Sequence, residues 1–298
     1  MKDAEGKVAF ITGGAGGVGL GMAQVFVKHG MKVVITDVRQ DGLDSALARL
    51  GSSSCVHAIR LDVTDRNAFA QAAEETERVF GKVHLVCNNA GINLFVPIEK
   101  CSYNDLDWIM GVNFGGVLNG CHTFIPYLRK HGEGGHIVNT ASMSAYLPSS
   151  AAVIYTAAKA GVRGLSEALR LSLYRYNIGV SCFCPGMIRK SIFQNETIRP
   201  RHLASENVAG NGEATLRARE LSQQGMDPVE AGELVLAGIR RNDMYIFSHP
   251  EFKDELREIF AETLSYQPEG ETPEPRLAFE NNRRETLRKE KAAASGIG

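Results

Sequence analysis

The beginning of the chain combines three patterns that together restrict the fold. An apolar run, Val8–Ile11, is typical of a buried parallel strand, and it leads directly into the glycine-rich segment Thr12–Gly19. An amphipathic helix pattern follows over Leu20–His29 and ends at Gly30. Glycines let the backbone turn sharply and approach a pyrophosphate, whose charge the free amides at a helix N-terminus favour. This order of elements predicts a dinucleotide-binding turn, although a glycine cluster by itself is more often a flexible loop.

An acidic residue, Asp37, follows the second predicted strand, Lys32–Thr36. A carboxylate about 20 residues past the glycines can accept hydrogen bonds from the adenosine ribose. It would repel a 2′-phosphate, because two like charges at about 4 Å cost roughly 4 kcal/mol at an effective dielectric of 20. Arg39 can pair with such a phosphate, and Asp37 can instead cap the next helix, although Asp41 is available for that role. We expect Asp37 to dominate, which makes NAD rather than NADP the predicted cofactor.

Tyr155 and Lys159 stand four residues apart in a predicted helix, so their side chains project from one face. A neighbouring positive charge lowers the pKa of a phenol, which is near 10 for free tyrosine. With a lowered pKa, Tyr155 can serve as a general base at neutral pH. Ser142, upstream in the sequence, can then orient the oxygen of a substrate. The alternative is a surface tyrosine stacked on a lysine stem.

The rest of the chain alternates predicted strands with predicted helices. The strands are expected at Val56–Ile59, His84–Cys87, His136–Asn139, Gly179–Phe183 and Met244–Phe247, and the helices at Arg66–Phe80, Tyr103–Lys130, Ile154–Tyr174, Pro228–Arg240 and Pro250–Leu264. This alternation predicts a single doubly wound α/β Rossmann domain with a parallel seven-stranded sheet over residues 1–264.

Two regions depart from the alternation. Residues 187–226 are polar and irregular, with one helix-like stretch near Glu213–Gln224, and are the predicted small helical lid over the substrate. Residues 265–298 form a predicted C-terminal tail, expected to be extended and then helical or disordered.

Composition excludes several classes of function. The 298 residues are 44% hydrophobic and 22% charged, with a formal net charge of −1. This near-neutral balance gives no electrostatic attraction for nucleic acid or an anionic membrane. The longest apolar runs have the length of a strand, and the N-terminus lacks the apolar core of a signal peptide. Six cysteines without Cys-x-x-Cys spacing and eight scattered histidines indicate neither a redox motif nor a metal site. The expectation is a cytoplasmic enzyme without a metal.

With these motifs in place, the chain resembles the short-chain dehydrogenase/reductase family over about residues 5–250. The resemblance implies that Asp62 contacts adenine, that Pro185–Gly186 lies beside the nicotinamide, and that the backbone carbonyl of Asn113 holds a water. It implies a catalytic tetrad of Asn113, Ser142, Tyr155 and Lys159. The implied cofactor-binding residues are Gly13, Gly17, Val18, Gly19, Asp37, Asp62, Val63, Asn89, Ala90, Gly91, Tyr155, Lys159, Pro185, Gly186 and Ile188.

Several stretches are similar, more narrowly, to the Cα-dehydrogenases that oxidise lignin-derived aryl-ether dimers. They are Pro97–Lys100, Asp107–Asn113, Gly134–Val138, Tyr176–Val180 and Met244–Ile246, together with the long C-terminal region. One position departs from the family. Where the family usually places a threonine for the nicotinamide carboxamide, this chain has Lys190 followed by Ser191, so the residue that binds the carboxamide stays open.

The residues and the resemblance together predict hydride transfer between a secondary alcohol and NAD, giving the corresponding ketone. A pocket of mostly apolar or aromatic side chains suits a bulky, aromatic substrate. Its expected lining is Asn93, Leu94, Phe95, Met143, Tyr146, Met187, Ile188 and Phe193, although each can instead belong to the core. The alternatives are a hydroxysteroid, terpenoid or other cyclic alcohol as substrate, and a non-catalytic NAD-sensing module, which is disfavoured because the tetrad is complete.

Family members commonly dimerise through the two long helices, which here are about Tyr103–Lys130 and Ile154–Tyr174. Small residues on the second helix allow a partner helix to approach, and its leucines form a stripe spaced by four. These are Ala157, Ala158, Ala160, Gly161 and Gly164, with Leu165, Leu169 and Leu173. A homodimer or homotetramer is expected; the alternative is that the stripe packs only on the sheet of its own subunit.

Overall fold

The computed structural model describes residues 1, 3–51, 54–189, 198–205 and 220–296. Lys190, Ser191 and Phe193, and most of the helix expected near Glu213–Gln224, lie outside these residues. Within them, no helix combines the length and the apolar character needed to cross a membrane.

A seven-stranded parallel sheet forms the centre of the molecule, as predicted. Its strands are β1 Val8–Thr12, β2 Lys32–Asp37, β3 Val56–Arg60, β4 Leu85–Asn88, β5 Gly135–Thr140, β6 Ile178–Cys184 and β7 Tyr245–Phe247. Their order across the sheet is β3-β2-β1-β4-β5-β6-β7, with every pair parallel. The order reverses between β1 and β4, and ligands of doubly wound sheets bind at the carboxyl ends of the strands at such a point.

Helices cover both faces of this sheet. They are α1 Gly17–Lys28, α2 Gln40–Leu50, α3 Arg66–Phe80, α4 Tyr103–Met110, α5 Gly116–Lys130, α6 Val153–Leu173, α7 Pro228–Arg241, α8 Lys253–Ser265 and α9 Glu274–Ser295. Alternate residues of β1 belong to different core layers: Ala9 and Ile11 pack with α1, α2 and α7, whereas Phe10 packs with α3, α5 and α6. The rings of Phe10 and Phe124 lie 4.4 Å apart in the second layer. This alternation is the pattern of a sheet that is buried on both faces.

The long predicted helix 103–130 is interrupted by one wider turn. Residues Gly111–Gly115 form a π-helical turn between α4 and α5. Such turns are rare and frequently mark functional sites, and this one contains Asn113.

The ends of the 187–226 insertion lie side by side. Ile188 forms a parallel bridge with Met226, and Arg189 forms an ion pair of 3.1 Å with Asp227. The described middle part, residues 198–205, packs on α4. There the Arg199 guanidinium lies 2.7 Å from Oδ1 of the buried Asp105.

The C-terminal region is helical over α9, which resolves the alternatives left open for the tail. Nearly all of its residues are exposed, but Ala294 is buried and its carbonyl accepts a hydrogen bond of 2.9 Å from Nδ2 of Asn242.

The leucine stripe of α6 packs on the core of its own subunit, so it does not by itself indicate a partner helix. Leu173 is buried in the second core layer, and Leu165 and Leu169 pack against it. The outer face of α6 carries Gly164, where an added Cβ would meet no heavy atom within 4 Å.

Candidate active site

The carboxyl ends of the central strands surround a cavity of about 530 Å³. Residues from the glycine turn and from the ends of β2, β4, β5 and β6 line it together with α6. A second cavity of about 290 Å³ adjoins it on the side of α4. The two cavities share Gly13, Asp37, Ala90, Gly91 and Ile198. Together they form a cleft across the point where the strand order reverses.

The glycine turn forms one wall of the cleft. Gly13 and Gly17 adopt positive φ angles of 65° and 48°, which favour glycine. A Cβ on Gly19 would lie 2.1 Å from the carbonyl oxygen of Gly13, so this position must be glycine for the turn to close. Gly13, Gly17 and Val18 line the cavity. Because the first turn of α1 carries no acidic side chain, its free amides present an unopposed positive end to the cleft.

Asp37 stands at the end of β2 and lines both cavities. Its Oδ1 accepts a hydrogen bond of 3.1 Å from the backbone N–H of Arg39, and the Nε of Arg39 lies 3.9 Å away. Burial raises the pKa of the Asp37 carboxyl above its usual value, while the contacts with Arg39 act in the opposite direction. The arginine that complicates the sequence argument therefore lies directly beside the carboxylate.

The turn after β4 is tied to β1 through Thr12. The Oγ1 of Thr12 accepts hydrogen bonds from the backbone N–H groups of Asn89 and Ala90, at 2.9 and 3.0 Å. The Nδ2 of Asn89 donates to the carbonyl of Thr12 at 3.0 Å. Asn89, Ala90 and Gly91 thereby line the cleft between the two strands at which the sheet order reverses.

Asn113 is fully buried, and each of its side-chain atoms has a partner. Its Nδ2 donates to the carbonyls of Ile92 and Ile109 at 2.9 and 3.1 Å, and its Oδ1 accepts from the N–H of Ile92 at 3.1 Å. A Cβ on Gly91 would lie 2.9 Å from Oδ1 of Asn113 and 3.5 Å from Nζ of Lys159. Gly91 thus allows the asparagine and the lysine side chains to lie close to this turn.

Lys159 is buried on α6, with its ammonium group inside the site. Its Nζ donates a hydrogen bond of 2.8 Å to the carbonyl oxygen of Thr140, at the end of β5. Burial lowers the pKa of Lys159 to about 8 because desolvation disfavours the charged form. The ammonium form still dominates at neutral pH.

Tyr155 and Ser142 line the same cavity as Lys159. Burial raises the pKa of the Tyr155 phenol, and a hydrogen bond with Ser142 acts in the opposite direction. The Oγ of Ser142 also accepts from the N–H of Ser144 at 3.1 Å. The lowering of the tyrosine pKa expected from Lys159 is therefore not produced by the protein residues alone, because desolvation of the phenol outweighs the other contributions.

The other predicted cofactor residues divide between the two cavities. Pro185, Gly186 and Ile188 line the larger one, and Asp62 and Val63 line the smaller one. Thr64 donates to Oδ1 of Asp62 through its backbone N–H and through its hydroxyl, at 2.9 and 2.8 Å.

The predicted substrate pocket is only partly as expected. The cavity includes Asn93, Phe95, Met143, Met187 and Ile188. Leu94 instead packs with the core around Trp108, because it faces α4. Tyr146 instead packs against Tyr245, Phe247 and Phe260, with ring centroids 5.8 to 6.4 Å away.

Several residues that line this cavity were not predicted from the sequence. They are Thr140, Ala141, Ser149, Ala152 and Phe252. Those near Ser142 and Tyr155 could have been found from their closeness in sequence. No local pattern indicates Phe252, which reaches the site from beyond β7.

A group of residue types that bind metals lies at the opposite edge of the sheet, before β4 and β5. His84, His131 and Glu133 have their donor atoms within 4.8 Å of one another. The Nδ1 of His84 accepts from the N–H of Val8 and its Nε2 lies 3.1 Å from Glu133. The Nδ1 of His131 accepts from the N–H of Glu133, and its Nε2 lies 2.8 Å from the carbonyl of Val83. All four ring nitrogens are thus engaged within the protein, which accounts for the cluster as a structural network.

Comparison with known proteins agrees with this geometry. The model of the short chain dehydrogenase family matches residues 7–200. A protein named C alpha-dehydrogenase from Sphingobium sp. strain NBRC 103272 / SYK-6 is 40% identical over 277 residues, which are 92% of this chain and 91% of that protein. The resemblance to Cα-dehydrogenases expected from the sequence is thereby confirmed.

Solved structures give the same result for the fold. The apo form of LigD from Sphingobium sp. strain SYK-6 has a TM-score of 0.76 and 37% identity, covering 90% of this chain and all of that one (100%). A short chain dehydrogenase/reductase from Burkholderia phymatum in complex with NAD has a TM-score of 0.83 and 31% identity, covering 92% of this chain and 100% of that one.

Proposed function

We propose that this chain, which belongs to the short chain dehydrogenase family, transfers a hydride between a bulky secondary alcohol and NAD, with the ketone as the oxidised product. The observation that carries this proposal is the placement of Ser142, Tyr155 and Lys159 in one cavity with the glycine turn. The proposed proton acceptor, Tyr155, and the glycine turn that would bind the dinucleotide then line the same cavity. A non-catalytic NAD-sensing module remains disfavoured, because it would not need these three side chains together.

The residues of the cleft fit a dinucleotide. The positive end of α1 and the glycine turn suit a pyrophosphate, and Asp37 at the end of β2 suits the adenosine ribose. Asp62 and Val63 border the adenine side, and Pro185, Gly186 and Ile188 border the nicotinamide side. Binding of NAD by the Burkholderia phymatum relative is consistent with this assignment.

When bound, NAD⁺ would supply the hydride acceptor and a positive charge in the site. Tyr155, as the phenolate, would take the proton of the substrate hydroxyl as the alcohol is oxidised. Ser142 donates a hydrogen bond to the oxygen as it becomes a carbonyl. Lys159 adds positive charge near the phenolate, and Asn113 supports a proton relay toward solvent.

The preference for NAD over NADP is proposed from Asp37. Its carboxylate lines both cavities, where a 2′-phosphate would meet its negative charge. Arg39 lies 3.9 Å from the same carboxylate and partly offsets that charge. We expect the half-buried carboxylate of Asp37, rather than the Arg39 side chain, to decide the preference for NAD.

An aromatic carbinol is the proposed substrate class. The side of the cavity next to Tyr155 carries Phe95, Met143, Leu147, Met187 and Phe252, which offer a broad apolar surface. The similarity to a protein named C alpha-dehydrogenase, and the resemblance to enzymes that oxidise lignin-derived aryl-ether dimers, support an aryl carbinol as substrate. A hydroxysteroid or another cyclic alcohol is the alternative, because the same apolar surface would accept it.

The 187–226 insertion is the proposed lid. Its two ends are joined at the Ile188–Met226 bridge, and its Ile198 lines both cavities. A segment held at its base and reaching over a ligand can close and exclude water.

Three further expectations from the sequence stay predictions. They are the separation of a domain over residues 1–264 from a tail over residues 265–298, the cytoplasmic location and the homo-oligomeric state.

The test is a substrate panel measured by NADH production. Aryl-ether carbinols, simple benzylic alcohols and hydroxysteroids would each be offered with NAD⁺ and with NADP⁺. We expect the aryl carbinols with NAD⁺ to give the highest kcat/KM. If no secondary alcohol is oxidised while NADH still binds, the chain is a binding module; if steroids lead the series, the alternative substrate class is correct.

A further inference from the structure

The turn that follows β6 is held by two residues that follow β7. The backbone N–H of Gly186 lies 3.2 Å from Oγ of Ser248 and 3.2 Å from Nδ1 of His249. The Nε2 of the same histidine lies 3.1 Å from the carbonyl oxygen of Met187. One imidazole therefore contacts the backbone of two successive residues, Gly186 and Met187, in the turn that borders the nicotinamide side of the cleft.

The partners decide the tautomer of this ring. A backbone N–H can only donate, so Nδ1 of His249 accepts from Gly186; a carbonyl oxygen can only accept, so Nε2 carries the proton that Met187 receives. Ser248 lies with its Oγ 2.5 Å from Nδ1 and donates to the same lone pair. The neutral imidazole protonated on Nε2 satisfies every one of these contacts.

The ring also packs directly on the turn. A Cβ on Gly186 would lie 2.8 Å from Cγ of His249 and 2.8 Å from Cε2 of Phe252. Glycine is therefore required at this position, and the phenylalanine that excludes a side chain there also lines the cavity. The segment Ser248–Phe252 thus forms a brace behind the turn, reaching it from the edge strand of the sheet.

We propose that His249 is a positioning residue for the nicotinamide half of the cofactor. The inference rests on the proposed function, since the turn borders a nicotinamide only if NAD binds in the cleft. The carbonyl of Met187 also accepts from the N–H of Met226 at 3.0 Å. His249 and the base of the insertion hold the same peptide group from two sides, so the brace fixes the turn from which the proposed lid departs.

The inference is specific to one end of the cofactor. The brace contacts the nicotinamide side, whereas Asp37 and Asp62 border the adenosine side. ADP-ribose carries the adenosine, the pyrophosphate and the second ribose but lacks the nicotinamide. Loss of the brace should therefore weaken binding of NADH and leave binding of ADP-ribose nearly unchanged.

Three variants separate the two hydrogen bonds. His249→Ala removes both, His249→Asn leaves an acceptor near the position of Nδ1, and His249→Gln leaves a donor near the position of Nε2. Glu251→Ala is the matched control, because Glu251 is an exposed side chain in the same segment. The dissociation constants of NADH and ADP-ribose would be measured for each by calorimetry, together with kcat at saturating NAD⁺.

His249→Ala removes the donor to Met187 and one of the two acceptors of the Gly186 N–H, and we expect it to weaken NADH binding by about tenfold. ADP-ribose should change by less than about twofold, and His249→Asn and His249→Gln should each recover part of the NADH affinity. The kcat of His249→Ala should also fall, since a bound but misplaced nicotinamide reacts slowly.

Equal weakening of both ligands would overturn the inference, because it would mean a general structural role. Unchanged NADH affinity and kcat in all three variants would overturn it as well, while leaving the proposed function intact. Failure of the unmodified protein to bind NADH would refute both. If His249→Ala does not fold, the comparison of His249→Asn with His249→Gln decides the same question.

Discussion

The Nζ atom of Lys159 lies 5.6 Å from the centroid of the Tyr155 ring. At this distance the two groups share one buried environment, and burial acts on both: it lowers the pKa of the lysine and raises that of the phenol. Each shift disfavours the charged form that the proposed chemistry needs. The positive charge of the bound cofactor would restore part of the balance, because it favours the phenolate.

Removing the hydroxyl of Tyr155 should nearly abolish turnover. Tyr155→Phe keeps the ring volume but leaves the substrate proton without an acceptor, so we expect kcat to fall by at least about a hundredfold. Circular dichroism and NADH binding should match the unmodified protein. Substantial activity of this variant on every accepted alcohol would refute the assignment of Tyr155 as the base.

Lys159 should make the stability of the cofactor-free protein depend on pH in the alkaline range. Its pKa in the folded protein is lowered to about 8, below that of an unfolded lysine, so the unfolded chain binds more protons between these values. The free energy of unfolding, relative to that of Lys159→Met, therefore rises by on the order of 3 kcal/mol as the pH increases from about 8 to about 10.5.

Urea denaturation of both proteins at several pH values would measure this difference. The comparison cancels the titration of the other groups, since both proteins contain them. A difference that stays constant across this range would show that Lys159 keeps an ordinary pKa, and a difference that falls with pH would show that folding raises its pKa. Either result would contradict the prediction.

Asp37 should set the choice of cofactor. We expect kcat/KM with NAD⁺ to exceed that with NADP⁺ by at least about two decades. Asp37→Ala should reduce this ratio, chiefly because it weakens the binding of NAD⁺. Asp41→Ala, which changes an exposed carboxylate nearby, should leave the ratio unchanged. Equal use of both cofactors by the unmodified protein would instead assign the decision to Arg39.

The buried ion pair of the insertion should matter for stability and for the adenosine side of the cleft. Arg199 and Asp105 are 6% and 0% exposed, and the guanidinium stacks 4.3 Å from the ring centroid of Trp108. Arg199→Met leaves the buried Asp105 carboxylate without its positively charged partner, and we expect a loss of about 3 kcal/mol in the free energy of unfolding. ADP-ribose should also bind more weakly, because neighbouring residues of the segment line the smaller cavity.

Arg189→Met is the control for this experiment. Its ion pair with Asp227 is 44% and 47% exposed, and an exposed pair contributes only about 0 to 1 kcal/mol. Similar losses of stability for the two variants would mean that Arg199 contributes no more than a surface charge.

Gly164 should report the oligomeric state. Gly164 is exposed and an added Cβ there would meet no heavy atom within 4 Å in its own subunit, so we expect Gly164→Glu to be compatible with a folded monomer. If α6 packs against a partner, the same change buries a charge between two helices and separates the subunits. We expect a dimer or tetramer by light scattering for the unmodified protein and a monomer for Gly164→Glu. Ala70→Glu, an exposed position on α3, should not alter the mass, and a monomeric unmodified protein would contradict the prediction.

The sequence by itself determined the fold and the parts of the site that lie within short segments. The strand, glycine turn and helix at Val8–His29 form as predicted, and the four-residue spacing brings Tyr155 and Lys159 to the same cavity. Asp37 also reaches the cleft, because the strand before it must end at the edge where the glycine turn lies. Each of these features depends on local periodicity or on a chain reversal, and such patterns are visible in a single sequence.

The tertiary structure alone decided which distant segments complete the site. Nothing near His249 in the sequence indicates that its ring bonds to Gly186, or that Phe252 lines the cavity. In the same way, Tyr146 and Leu94 have the composition of a substrate pocket, yet they pack elsewhere. The physical reason is that these contacts depend on how strands β6 and β7 and the 187–226 insertion pack against one another, and residues far apart in the chain carry no shared periodicity that would reveal their neighbours.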